Sequence, residues 1–214
     1  MSYIINKVFN ENCISFLKQN SINVDHTITD IPYDIVSRES NGIRNFNKEE
    51  ADLLEFDLSE FIKQITEITK EYIFIFCSSE QVSMLVELLE KENFHTDLAI
   101  WKKSNPSPVN GQHIWLSGIE CCVVASKNEL PNEMKDMIWN IPNGKSKDHP
   151  TEKPLKLMSL IINNYTKEND IILDPCAGSG STLISSKVNN RNYIGIEKHK
   201  PYYELINSKL NKQD

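Results

Sequence analysis

The stretch Leu173-Asp174-Pro175-Cys176-Ala177-Gly178-Ser179-Gly180-Ser181-Thr182 constrains the chain more than any other. The apolar run at residues 171–173 reads as a short buried strand. It leads directly into a carboxylate, a proline and two glycines spaced Gly-x-Gly, a turn that lets backbone approach a ligand where a Cβ would collide. Residues 182–187 can start a helix whose free N–H groups point back at the turn. This order of strand, turn and helix suits a nucleotide-like ligand. Taken alone, it also suits a tight strand-to-helix turn that binds nothing.

Two features bear on that choice. Asn192-Tyr193-Ile194-Gly195-Ile196 reads as a second strand ending in Glu197, close to the ~20-residue offset at which such folds hydrogen-bond a ribose. The third glycine of Gly-x-Gly-x-x-Gly is replaced by Leu183, which argues against a dinucleotide. A ligand with adenosine but no pyrophosphate fits better, and S-adenosylmethionine is the candidate.

At 214 residues the chain is expected to form a single domain, residues 1–214, with a proper core. A net charge of −7 excludes a uniformly basic nucleic-acid coat but leaves room for a local basic face. Much of the acid lies in Glu49, Glu50, Asp52, Glu55, Asp57 and Glu60, a run read as solvated and expected to face away from any nucleic acid. No apolar run approaches ~18 residues and residues 1–6 do not open a signal peptide, so a cytoplasmic protein without a membrane span is expected. Cys13, Cys77, Cys121, Cys122 and Cys176 lack Cys-x-x-Cys spacing and read as reduced, mostly buried thiols, with no metal site. Cys176 is expected to pack beside the ligand rather than react.

Further strands are expected at residues 3–9, 24–29, 72–77, 97–101 and 120–125. Helices are expected at residues 11–20, 58–70 and 154–165, with another opening at a Ser78/Gln81 capping box and a last one from Pro201 showing Tyr203, Ile206 and Leu210 on one side. Residues 34–47 lack any apolar period, and residues 128–148 read as irregular. Strands alternating with helices give an α/β sheet, largely parallel, with helices on both faces. Ligands in such sheets lie beyond the carboxyl ends of the strands. That rule brings Asp30-Ile31-Pro32-Tyr33, which follows the strand at 24–29, to the same rim as residues 174–180.

A carboxylate and an aromatic on a proline corner beside such a ligand can serve amine methylation. The exocyclic amine of adenine or cytosine is a poor nucleophile because its lone pair is delocalised into the ring. Asp30 could accept one amine hydrogen and the Ile31 carbonyl the other, and both bonds favour the pyramidal nitrogen of the transition state. Tyr33 offers a face for an extruded base, worth about 1–3 kcal/mol. The tetrapeptide by itself also reads as a strand-end turn with a capping Asp and a packed Tyr.

Together the motifs resemble those of the amino DNA methyltransferases that modify adenine N6 or cytosine N4, in particular their β class. Asp30-Ile31-Pro32-Tyr33 is similar to the family's Asp-Pro-Pro-Tyr. His149-Pro150-Thr151-Glu152-Lys153-Pro154 is similar to its His-Pro-Thr-x-Lys-Pro, and residues 174–182 to its Asp-Pro-Phe-x-Gly-Ser-Gly-Thr. The resemblance implies a Rossmann-like class I methyltransferase sheet, mostly parallel with one antiparallel strand, in circularly permuted motif order, the catalytic motif preceding the cofactor motif. The N-terminal strand would complete that sheet. The resemblance also implies a catalytic corner of Asp30, Ile31 through its carbonyl, Pro32 and Tyr33. It assigns the methionine carboxylate of S-adenosylmethionine to Thr151 and Lys153, and the rest of the cofactor to Asp174, Cys176, Gly178, Ser179, Gly180 and Thr182. Glu197 would take the ribose hydroxyls, and Asn12, where the family often has Gly-Asp-Cys, the cofactor adenine.

Two departures stand out. Ile31 replaces a proline whose role needs only the backbone carbonyl, and Cys176 replaces an aromatic, which loosens contact with the cofactor. The leading Asp is more typical of adenine-N6 enzymes, so the expected activity is site-specific adenine-N6 methylation of DNA within a restriction-modification setting. Cytosine-N4 methylation, methylation of RNA or a protein amide, and a non-catalytic binding module are the alternatives. Residues 128–148 are the room left for target recognition, which suggests a short target, a partner subunit or a homodimer. Arg38, Arg44, Lys102, Lys103, Lys135, Lys145 and Lys147 are the candidates for phosphate contact, or else ordinary solvated surface.

Overall fold

The structure is a computed structural model and describes residues 4–33, 56–106, 118–128, 136–144 and 152–212. Its strands are β1 (Lys7–Phe9), β2 (Val24–Asp30), β3 (Thr69–Cys77), β4 (His95–Lys102), β5 (Ile119–Ser126), β6 (Ile138–Asn140), β7 (Ile171–Asp174) and β8 (Asn192–Ile196). Its helices are α1 (Cys13–Gln19), α2 (Leu58–Ile68), α3 (Val82–Lys91), α4 (Leu155–Tyr165), α5 (Ser181–Val188) and α6 (Lys200–Asn211). The strands form one sheet in the order β1-β8-β7-β2-β3-β5-β4-β6. Among the described residues β5 alone runs antiparallel to its neighbours, β3 and β4. Such a mixed, mostly parallel sheet is the fold read from the sequence.

Both faces of the sheet are covered, which is why β3 is an unbroken apolar run from Tyr72 to Cys77. Ile73, Ile75 and Cys77 face a core shared with Phe16, Phe61, Ile62 and Leu85 from α1, α2 and α3. Tyr72, Phe74 and Phe76 face the other way, against Leu157, Met158, Ile161 and Ile162 of α4. A third cluster joins Val8, Leu183, Ile184, Tyr193, Ile206 and Leu210 under α5 and α6, so the expected apolar side of the last helix is the buried one.

Three elements differ from expectation. The helix expected at 58–70 ends at Ile68, and β3 begins at once with Thr69, which pairs with Val24. The Thr69 hydroxyl also meets that of Thr27 at 2.7 Å, so sheet pairing ends the helix. The N-terminal strand is shorter than residues 3–9 but lies beside β8, where the permuted order needs it. Within residues 128–148, read as irregular, Ile138–Asn140 form β6. Trp139 and Ile141 are buried there, and the Trp101 indole N–H donates to the Ile141 carbonyl at 2.7 Å. Part of that segment is therefore framework.

Candidate active site

β2 and β7 are parallel neighbours, with His26 opposite Ile172 and Thr27 opposite Leu173. Their carboxyl ends, Asp30 and Asp174, therefore reach the same rim. One continuous cavity there is lined by Asp30, Tyr33 and Lys153 on one side and by Asp174, Gly178 and Glu197 on the other. Ile31, Pro32, Cys176, Ser179 and Thr182 also line it.

The first corner is held from several elements. Ile31 N–H donates to the Phe76 carbonyl at 3.2 Å, while the Ile31 side chain is buried in the core. The Pro32 carbonyl accepts from the Gln81 side-chain amide at 2.9 Å. Gln81 also accepts the Ser78 N–H at 3.0 Å, one half of the expected capping box. Asp30 Oδ2 accepts a bond from Lys153 Nζ. Asp30 Oδ1 is shielded from solvent and has no hydrogen-bond partner among the described residues. Burial raises the Asp30 pKa above the ordinary carboxylate range; Lys153 opposes the rise and the Glu120 charge adds to it.

The second corner turns on Gly178 and Gly180, whose φ angles of 50° and 82° lie in the left-handed region. The Asp174 carboxylate accepts Cys176 N–H at 3.2 Å. Glu197 accepts Gly178 N–H at 2.8 Å and His199 N–H at 2.7 Å, so the end of β8 is tied to the turn. Burial raises Asp174 to about 7, although the hydroxyls of Thr182 and Thr29 and the Cys176 N–H pull the other way. No Lys or Arg is paired with it among the described residues, so its surroundings favour a positively charged ligand group. Burial likewise raises Glu197. The Cys176 thiol is held well above its ordinary range by its hydrogen bond with Cys13 and by burial. It stays protonated at neutral pH, and a protonated thiol is not a nucleophile.

Several assignments come out differently. Lys153, implied to hold the methionine carboxylate, is spent on the catalytic corner: its ammonium bonds Asp30, the Tyr33 hydroxyl at 3.2 Å and Glu120 at 3.1 Å. Three acceptors use the three donors of an ammonium. Burial would lower the Lys153 pKa, but the two carboxylates outweigh it and raise it. Lys103, suggested for phosphate contact, turns inward to Glu120 at 2.6 Å and lies over the Trp101 ring. Lys102 is exposed at the end of β4. Asn12 caps α1 by accepting Ser15 N–H at 3.2 Å and does not line the cavity. Gly180 shapes the turn, since a Cβ there would meet Ile206 at 3.0 Å. Thr151, Arg38, Arg44, Lys135, Lys145 and Lys147 lie outside the described residues.

Glu120, His199 and Tyr202 line the cavity although they belong to none of the sequence motifs. Glu120 accepts the Tyr33 hydroxyl at 3.0 Å as well as the two lysines. Burial would raise its pKa, yet Lys153 and Lys103 together hold it below the ordinary value. Its only local signal is a charge directly before the apolar run at residues 121–125. His199 and Tyr202, in edge-on contact at 6.2 Å between ring centroids, also line the cavity. The aromatic spacing at the start of α6 could have suggested them.

Comparison with known proteins places this geometry. A family model described as DNA methylase matches residues 24–208. A type II methyltransferase of Moraxella bovis, M2.MboI, is 30% identical over 92% of this chain and 85% of its own. The type II methyltransferase M.HinfI of Haemophilus influenzae is 25% identical over 96% of this chain and 68% of its own. The structure of M1.HpyAVI in complex with S-adenosylmethionine superposes with a TM-score of 0.73 at 29% identity, covering 96% of this chain and 99% of that one. With both motif corners on one rim and the match extending over most of its length, the chain belongs to the N6/N4 DNA methylase family.

Proposed function

We propose that this protein is a cytoplasmic adenine-specific DNA methyltransferase, moving a methyl group from S-adenosylmethionine to N6 of a flipped-out adenine. The observation that carries this reading is Asp30 Oδ1, a shielded carboxylate oxygen without a partner among the described residues, beside a cavity shared with the cofactor turn. When bound, S-adenosylmethionine supplies an electrophilic methyl on a sulfonium. The left-handed glycine turn, the Glu197 carboxylate and the buried, uncompensated Asp174 fit its adenosine and its ammonium.

The protein's own groups act on the amine. Asp30 Oδ1 accepts one N–H hydrogen and the Ile31 carbonyl accepts the other. This favours the pyramidal nitrogen and strengthens as positive charge develops on it. Transfer would form the N–C bond as the methyl–sulfur bond breaks and a neutral thioether leaves, and the nitrogen would then shed one proton, which Asp30 can receive. The Tyr33 ring, held by its hydroxyl, provides a stacking face for the extruded base. The leading Asp of the catalytic tetrapeptide is the feature that favours adenine over cytosine.

The test is transfer of labelled methyl to mixed-sequence DNA, followed by digestion to nucleosides. Label in N6-methyladenine is expected. Label confined to N4-methylcytosine would overturn the choice of base, and label in RNA or protein with blank DNA would overturn the substrate class.

A further inference from the structure

Glu120 stands outside every motif read from the sequence, yet it joins the catalytic corner to two lysines. Because β5 runs antiparallel, its first residues reach the rim where β2, β3 and β4 end: Cys121 pairs with Cys77 and Glu120 with Trp101. Glu120 Oε1 takes the Lys103 ammonium at 2.6 Å. Its Oε2 takes both the Lys153 ammonium at 3.1 Å and the Tyr33 hydroxyl at 3.0 Å. Lys153 is shared in turn with Asp30 Oδ2. Two carboxylates this close repel unless cations hold them, and here one ammonium is held in common while a second backs Glu120 alone.

Resting on the function proposed above, we propose that Glu120 is a positioning residue for amine methylation. It draws the Lys153 ammonium and the Tyr33 hydroxyl to one side of Asp30, which leaves the shielded Asp30 Oδ1 without a partner among the described residues and with its lone pairs kept for the target amine. Without the Glu120 charge, Lys153 is free to move fully onto Asp30 and compete with the amine for both oxygens. Tyr33 would lose the charged acceptor that fixes its ring.

Among the described residues, the groups facing Asp30 are Lys153 ahead of α4, Tyr33 beyond β2, Asp174 on β7, the thiols of Cys77 on β3 and Cys122 on β5, and Glu120 with Lys103 behind it. Burial raises both thiols, to about 12 for Cys77 and well above the ordinary value for Cys122, so neither contributes charge at neutral pH.

The experiment compares kcat and cofactor KM across pH for wild type, Glu120→Gln and Lys103→Met on DNA, with calorimetric cofactor binding as the check of folding. Glu120→Gln keeps an acceptor for Tyr33 and removes the charge. It should lower kcat by about tenfold, leave cofactor KM unchanged, and move the acidic limb of kcat to lower pH, because the anion that raises Asp30 is gone. Lys103→Met leaves Glu120 drawing harder on Lys153 and should move that limb to higher pH. General loosening of the site does not give opposite shifts. If Glu120→Gln loses cofactor binding as well, Lys103→Met decides alone, an upward shift supporting the role. Unmoved limbs, or shifts in one direction for both variants, would overturn the role while an active wild type left the function standing. No transfer by wild type would remove the function and the role together.

Discussion

Asp174 titrates at about 7 in the folded protein, against an ordinary value of 3.8, because burial disfavours its charge. Its contribution to stability is therefore complete below the unfolded pKa and is lost as pH rises through about 7. Asp174→Asn should raise the melting temperature at pH 8 and change it little at pH 4, which thermal melts at the two pH values will show. An ammonium beside this carboxylate favours its ionised form. Cofactor affinity in the wild type should thus rise between pH 6 and pH 8, with proton release seen by calorimetry in buffers of different ionisation enthalpy. Affinity independent of pH would contradict the assignment of Asp174 to the ammonium. Asp30, Tyr33, Asp174 and Glu197 were legible because each sits in a motif or ends a predicted strand. Glu120 and the inward turn of Lys103 were not, since both depend on the register of an antiparallel strand with partners many residues away.

At the scale of elements, α5 packs closely against β8 in the cofactor half. A Cβ on Gly195 would stand 2.3 Å from Leu183 Cδ1, so the fully buried Leu183 side chain would have to repack between α5 and β8. Gly195→Ala should cost roughly 1–3 kcal/mol by denaturant titration. α2 begins at Asp57, whose carboxylate accepts Ser59 N–H at 2.8 Å and Glu60 N–H at 3.4 Å. Asp57→Ala should cost about 1 kcal/mol in the same titration and leave cofactor affinity unchanged. Asp57 thus has a structural task within an acidic run that the sequence suggested was merely solvated. The helices were readable from their 3.6-residue period and the long strands from their apolar runs. β6 was not, because three residues carry no period and owe their place to pairing with β4 and to the Trp101 indole bond.

The whole molecule shows why motifs far apart in sequence make one site. β7 enters the sheet between β8 and β2, so the turn that follows it and the corner that follows β2 share a rim. β1 closes the edge of the sheet beside β8, in parallel pairing with it. The reversal of β5 then brings an acid to a rim otherwise built from the carboxyl ends of parallel strands. The sequence motifs located the two corners, whereas the charge cluster between them became visible only once the sheet was assembled. The most direct measurement is methyl transfer to DNA by Asp30→Ala, made beside calorimetric cofactor binding. Loss of turnover by about a hundredfold or more with cofactor affinity unchanged is the predicted result. Transfer at the wild-type rate would contradict the catalytic corner and the account built on it.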